Sequence, residues 1–220
     1  MKKFKKELDE YLALYLVTDR SWCQNTTLEF QVEQAIRGGV TCLQVREKYI
    51  SDEQFIDIAK PLQDLAEKNE IPFIINDNLN VFFKMDADGI HVGQDDLDSL
   101  ETRELIGNDK ILGVSVNTIE QALKAQSNGA DYLGIGAIFP TETKTDADEL
   151  DPQILKEICE AVTIPVVAIG GINEHNIQQL ANTSIKGVAL VSAILKSHNI
   201  EKSARFFKKT VESMMVIDGQ

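Results

Sequence analysis

Eight short β-rich runs alternate with longer segments of helical period, and this alternation constrains the fold more than any other feature of the chain. The runs are LALYLVT (12–18), TCLQV (41–45), PFIIN (72–76), DGIHV (88–92), ILGVS (111–115), DYLGIG (131–136), PVVAIG (165–170) and GVALVS (187–192). Between the second and third, DEQFIDIAKPLQDLAEKN sets Phe55, Ile58, Ala59, Leu62, Leu65 and Ala66 at steps of three and four, the stripe of a buried helix face. Pro61 in its middle argues against one continuous helix. Helix starts are expected at Asn117, three residues before Glu120, at Asp151 before Pro152, and at Asn173. Eight βα units in 220 residues predict an α/β fold, a closed (β/α)8 TIM barrel. It forms a single domain over 1–220, with 1–11 a polar N-terminal extension or helix. An open doubly wound sheet with one strand miscounted is the alternative.

The 22 basic and 35 acidic residues leave a formal charge of −13, and no basic run offers a track for a nucleic-acid backbone. A chain this acidic repels anions, so a site for an anionic ligand must bring its own cations or a metal. Cys23, Cys42 and Cys159 are odd in number and far apart, which fits a reducing, cytoplasmic setting better than a disulfide framework or zinc site. The early lysines are interrupted by Glu7, Asp9 and Glu10, and LALYLV is too short for a signal peptide. No apolar run approaches the roughly 18 residues of a spanning helix. The expected partners are small molecules, with no nucleic acid and no membrane; a homo-oligomer is compatible with the sequence.

In a parallel barrel, reactive side chains come from the C-terminal ends of the strands. Asn76 and Asp77 end the third run, and Asp95 and Asp96 follow the fourth. Two carboxylates at neighbouring strand ends, together with phosphate oxygens and water, suit a hard ion such as Mg2+; the plainer reading is that Asp77 and Asp96 cap the helices that follow. After the second run, Gln44, Arg46 and Lys48 share alternating parity and project to one side while the chain stays extended. Lys144 follows the sixth run, with Thr141 and Thr143 nearby. Three cations and a metal site on one face meet the demand for local anion-binding charge. Gly170, Gly171 and Ser192 follow the seventh and eighth runs, where barrels commonly hold a phosphate through backbone N–H groups. Two phosphorylated ligands are therefore expected. His91 has no second histidine at ligand spacing and reads as a satisfied barrel histidine, Cys42 as a buried thiol, and His175 and His198 as surface helix residues.

The segments LYLVTDR, GGVTCLQVREK, FIINDNLNV, DGIHVGQDDL, LGVSVNT, DYLGIGAIFPTETK, PVVAIGGI and GVALVSAIL together resemble the thiamine phosphate synthase family, in order from about residue 12 to 195. The resemblance implies a transferase that joins 4-amino-2-methyl-5-(diphosphooxymethyl)pyrimidine to a thiazole phosphate or its carboxylate, releasing diphosphate. It implies that Gln44, Val45, Arg46, Glu47, Lys48, Asn76, Ser115 and Lys144 hold the pyrimidine diphosphate, with Arg46, Lys48, Ser115 and Lys144 catalytic. Thr141, Glu142, Thr143, Gly171, Val191 and Ser192 would hold the thiazole phosphate, and Asp77 and Asp96 the Mg2+. Val45 stands where the family often has leucine, and TDAD adds acid after Lys144. A thiazole tautomerase-like isomerase and a non-catalytic phosphometabolite-binding barrel are the competing readings; fold alone does not separate them.

Overall fold

In the computed structural model, which describes residues 3–23, 26–94, 96–141 and 150–218, each of the eight runs forms a strand. They are β1 (Leu14–Val17), β2 (Cys42–Val45), β3 (Phe73–Asn76), β4 (Gly89–Val92), β5 (Ile111–Val116), β6 (Tyr132–Ile135), β7 (Val166–Ile169) and β8 (Gly187–Leu190). Each pairs in parallel with its sequence neighbour, and β1 pairs with β8, closing the barrel. The open-sheet alternative is thereby excluded. Helices α1 (Lys3–Lys6) and α2 (Leu8–Tyr11) precede the barrel. Around it lie α3 (Leu28–Arg37), α4 (Asp52–Lys68), α5 (Leu79–Met85), α6 (Ser99–Ile106), α7 (Ile119–Ser127), α8 (Pro152–Ala161), α9 (Ser192–Leu195) and α10 (Ile200–Asp218).

Short polar side chains start these helices by accepting otherwise unpaired first-turn N–H groups. Thr27 accepts from Phe30, Asn78 from Val81 and Asp98 from Leu100, while Ser51 and Gln54 form a reciprocal capping box. Asp151 caps α8 with Pro152 in the first helical position, as its sequence predicts. The start expected at Asn117 falls one residue later: Thr118 accepts from Gln121 N–H, and Gln121 Oε1 accepts from the Asn117 N–H. Pro61 does not break α4, which runs through it for 17 residues. The capping box and the burial of Phe55, Ala59, Leu62 and Ala66 offset the one lost backbone hydrogen bond. Asn173 does not begin an α-helix. It donates to the Gly171 carbonyl and accepts from His175 N–H, forming a turn that leads only to a single 3₁₀ turn at Ile177–Leu180. His175 therefore sits in a turn and His198 in a bend before α10, both exposed and neither helical.

Alternation along each strand sorts the apolar residues into two cores. Leu14, Leu16, Leu43, Val45, Phe73 and Ile75 point outward and pack with the helix stripes. Tyr15, Cys42, Ile74, Ile111, Tyr132, Val167 and Ala189 fill the barrel interior. Leu8 and Leu12, with Phe4 beside them, join this inner core from below, so the N-terminal segment, helical at α1 and α2, plugs the base of the barrel. Asp131 ties the base together: Lys5 and Arg103 reach its carboxylate at 2.7 and 2.6 Å, and it accepts from the Leu112 N–H at 2.8 Å.

The two interior tyrosines need small neighbours. A Cβ built on Gly113 would lie 2.2 Å from Tyr132 Cζ and 2.5 Å from His91 Nδ1. Gly113→Ala should therefore overpack the interior and lower stability by about 1–3 kcal/mol, read from urea unfolding. An unchanged midpoint would mean that the Tyr132 ring has free space to move into.

Candidate active site

Because all eight strands run parallel, their C-terminal ends meet in one mouth. Residues at or beyond these ends include Arg46 and Lys48, Asn76 and Asp77, Asp96, Ser115, Thr141, Gly171, and Val191 and Ser192. Glu142, Thr143 and Lys144 lie outside the described residues. Asn76 is buried at the end of β3, and among the described residues its side-chain amide has no protein partner.

The loop after β2 is braced from its neighbour. Arg46 N–H donates to Thr18 Oγ1 at 3.0 Å, and Arg20 grips both carboxylate oxygens of Glu47, each at 2.7 Å. That pairing raises the Arg20 pKa. It also commits the Glu47 side chain to holding the loop. The Val45 side chain is fully buried in the outer core, on the wall side of the barrel, which leaves its backbone near the mouth. The Arg46 guanidinium pairs with no acid among the described residues.

Neither Asp77 nor Asp96 caps a helix, since Asn78 and Asp98 do so. Asp77 takes the left-handed conformation at φ 59° and forms an ion pair with Lys48. Burial raises its pKa, Lys48 opposes that rise, and the nearby Asp96 carboxylate adds to it. Asp96 Oδ2 accepts from the Gly93 N–H at 2.7 Å, which turns the carboxylate back toward β4. Two carboxylates are thus crowded at adjacent strand ends with one lysine beside them. Among the described residues no group of three or more His, Cys, Asp or Glu side chains forms a metal cage. A two-carboxylate site completed by ligand oxygens and water is what this donor set fits, and it suits Mg2+.

Below the mouth, polar side chains run through the barrel. Gln44 Nε2 donates to Tyr15 OH at 2.8 Å, Tyr15 OH meets Tyr132 OH at 2.8 Å, and Tyr132 OH meets His91 Nδ1 at 2.9 Å. His91 Nε2 lies 2.8 Å from Ser115 Oγ. Burial lowers the His91 pKa to about 4, against a small opposing pull from Asp96, so the ring is neutral at physiological pH. His91 and Cys42 behave as the sequence predicts. Tyr15 and Tyr132 went unrecognised; the available signal was a tyrosine at an inward parity position in two otherwise apolar strands.

At the far side of the mouth, Gly171 has φ 66°, and a Cβ there would lie 2.4 Å from the carbonyl oxygens of Phe139 and Pro140. Its N–H donates to no protein acceptor among the described residues. Phe139 N–H in turn donates to the Gly170 carbonyl at 3.1 Å, so the turn after β7 and the segment after β6 rest on each other. A valine at 171 would disturb both. Ser192 opens α9, a single turn after β8.

A family model described as thiamine monophosphate synthase matches residues 14–194. The chain is 52% identical over 198 residues to the thiamine-phosphate synthase of Clostridium tetani, covering 90% of this chain and 94% of the relative. It is 50% identical over 192 residues to that of Ruminiclostridium cellulolyticum, covering 87% and 91% respectively. Among solved structures, the thiamine phosphate pyrophosphorylase of Pyrococcus furiosus superposes with a TM-score of 0.86 at 36% identity, over 94% of this chain and 99% of that one.

The acidic pair carries a stability cost that can be measured. A folded pKa raised above the unfolded value means that ionising Asp77 works against folding, an effect absent at low pH that grows as pH rises through the aspartate range. Asp77→Asn should therefore raise Tm at pH 7 without metal, and the gain should vanish below the ordinary pKa of 3.8. Asparagine also tolerates the left-handed backbone. A lower Tm at pH 7 would show that the Lys48 ion pair outweighs the crowding.

Proposed function

The chain belongs to the thiamine monophosphate synthase family, and from that membership we propose that one mouth binds a pyrimidine diphosphate over β2 to β6 and a thiazole phosphate over β7 and β8. The activity is that of a transferase: the pyrimidine methylene passes from diphosphate to the thiazole nitrogen, giving thiamine phosphate and free diphosphate. The observation that carries this reading is the carboxylate pair at the ends of β3 and β4, which caps no helix and sits beside Lys48.

The aminopyrimidine is electron-rich enough for its methylene C–O bond to break first, with both electrons leaving on diphosphate. The thiazole nitrogen lone pair then forms the new C–N bond, so no protein nucleophile is needed. Cys42 fits this spectator role, since burial pushes its thiol well above the usual range. Asp77 and Asp96 would hold Mg2+, which when bound supplies positive charge to the diphosphate oxygens. Arg46 and Lys48 add fixed positive charge at the same strand end, and Lys144 adds more by resemblance to the family. Electrostatic stabilisation of the leaving group, together with positioning, supplies most of the acceleration. Gly171, Val191 and Ser192, with Thr141, Glu142 and Thr143 by resemblance, take the thiazole phosphate. The uncommitted Gly171 N–H supports that half of the reading. Among the described residues no helix is long and apolar enough to cross a membrane. The odd number and wide spacing of Cys23, Cys42 and Cys159 support a cytoplasmic location.

Incubation with both substrates and Mg2+ should release diphosphate and form thiamine phosphate; a tautomerase or a binding protein would release none. Arg46→Gln should lower kcat on the order of 10²-fold, the usual effect of removing one charge-stabilising donor, while leaving the thiazole phosphate KM unchanged. Asp96→Asn should raise the Mg2+ concentration needed for half activity. Full activity of that variant at limiting Mg2+ would remove Asp96 from the metal site.

A further inference from the structure

The line Gln44, Tyr15, Tyr132, His91, Ser115 crosses the barrel from β2 through β1, β6 and β4 to β5, joining two residues assigned to the pyrimidine diphosphate by way of three that are not. All three lie in the buried interior. The direction of the protons along the line follows from its first member. An amide nitrogen donates and cannot accept, so the Tyr15 oxygen takes a proton contact from Gln44 Nε2. Tyr15 has one proton to give. Its choices are the Tyr132 oxygen at 2.8 Å and the thiol of neighbouring Cys42, a weak acceptor, so the proton goes to Tyr132. Tyr132 must then donate to His91 Nδ1. A neutral imidazole that accepts at Nδ1 carries its proton on Nε2, and that proton points at Ser115 Oγ, 2.8 Å away.

We propose that Tyr15, Tyr132 and His91 are positioning residues that polarise this line outward from Gln44, fixing His91 as the Nε2–H tautomer and leaving the Ser115 hydroxyl proton free to donate to a bound ligand. Ser115 is partly exposed near the end of β5, and apart from His91 no protein group contacts its hydroxyl among the described residues. It is therefore presented as a donor, suited to a hydrogen-bond acceptor on the ligand. The identity of that ligand as the pyrimidine diphosphate rests on the proposed function. The polarity of the line does not.

Two measurements test this. Long-range 1H–15N correlation on histidine-labelled free protein reads the tautomer, and His91 is the one buried ring, since His175 and His198 are exposed. The expected result is a single Nε2–H tautomer for His91 at neutral pH. Tyr132→Phe, which cuts the line at Nδ1, should convert this to a mixture. It should also weaken pyrimidine diphosphate binding in Mg2+ by about 10-fold in calorimetry, while thiazole phosphate affinity holds. If Tyr132→Phe fails to fold, Tyr15→Phe cuts the same line one step earlier and should give the same pattern. An Nδ1–H tautomer or an imidazolium in the unmodified protein would overturn the proposal. So would a folded variant in which both tautomer and affinity are unchanged. A single Nε2–H tautomer in a protein that binds no pyrimidine diphosphate supports the polarity and counts only against the transferase reading.

Discussion

The 2.8 Å hydrogen bond between the hydroxyls of Tyr15 and Tyr132 decides what the inside of this barrel can be. Both rings are about 1% exposed, and a buried hydroxyl left without a partner would cost about 1–3 kcal/mol. Placing the two phenols head to head settles that cost and forces the rest of the layer. Gly113 has to be small where the Tyr132 ring swings across, and His91 has to be an acceptor on the side facing it. Gln44 has to supply the donor that starts the line. Cores are usually built to avoid such networks because a half-satisfied one is worse than none. Here Tyr15, Tyr132 and His91 each have a partner on both sides, and the line ends at Ser115, which is partly exposed near the end of β5.

The fold was readable from the chain because its periodicities are strong. Eight apolar runs mark eight strands, and the stripe from Phe55 to Ala66 marks α4. Local rules failed where tertiary contacts outvoted them. Pro61 stays within α4 because the buried face on either side of it is long. Asn173 is drawn into a turn around the Gly171 carbonyl instead of capping a helix. Which residues share the mouth was legible to a similar depth. Residues at strand ends were found because topology alone sends them to one face. Tyr15 and Tyr132 were passed over because, read along the chain, a tyrosine in a β-rich run looks like any other large strand residue. Their partnership spans 117 positions and exists only after closure. Glu47 lies in the QVREK motif, and its carboxylate pairs with Arg20, a contact that spans 27 positions and was equally invisible along the chain.

Electrostatics explains how a chain with a net charge of −13 can host anions. The negative charge is not spread evenly around the mouth. Glu47 is neutralised by Arg20, and Asp77 by Lys48, while the Arg46 guanidinium is uncommitted among the described residues. The remaining crowding is between the Asp77 and Asp96 carboxylates, and a cation placed between two such groups would relieve it. The base carries the stabilising counterpart, with Asp131 held by Lys5 and Arg103 far from any chemistry.

The turn at Gly170 and Gly171 is seated against Phe139 and Pro140, with the missing Cβ occupied by their carbonyl oxygens. The glycine turn follows β7 and the Phe139–Pro140 segment follows β6, so two different strand ends share this one seat. A ligand that shifts either seat alters the other, so any two ligands resting on these two segments would be thermodynamically linked even without touching. Whatever the first one to bind does to the affinity of the second, the second must do in equal measure to the first.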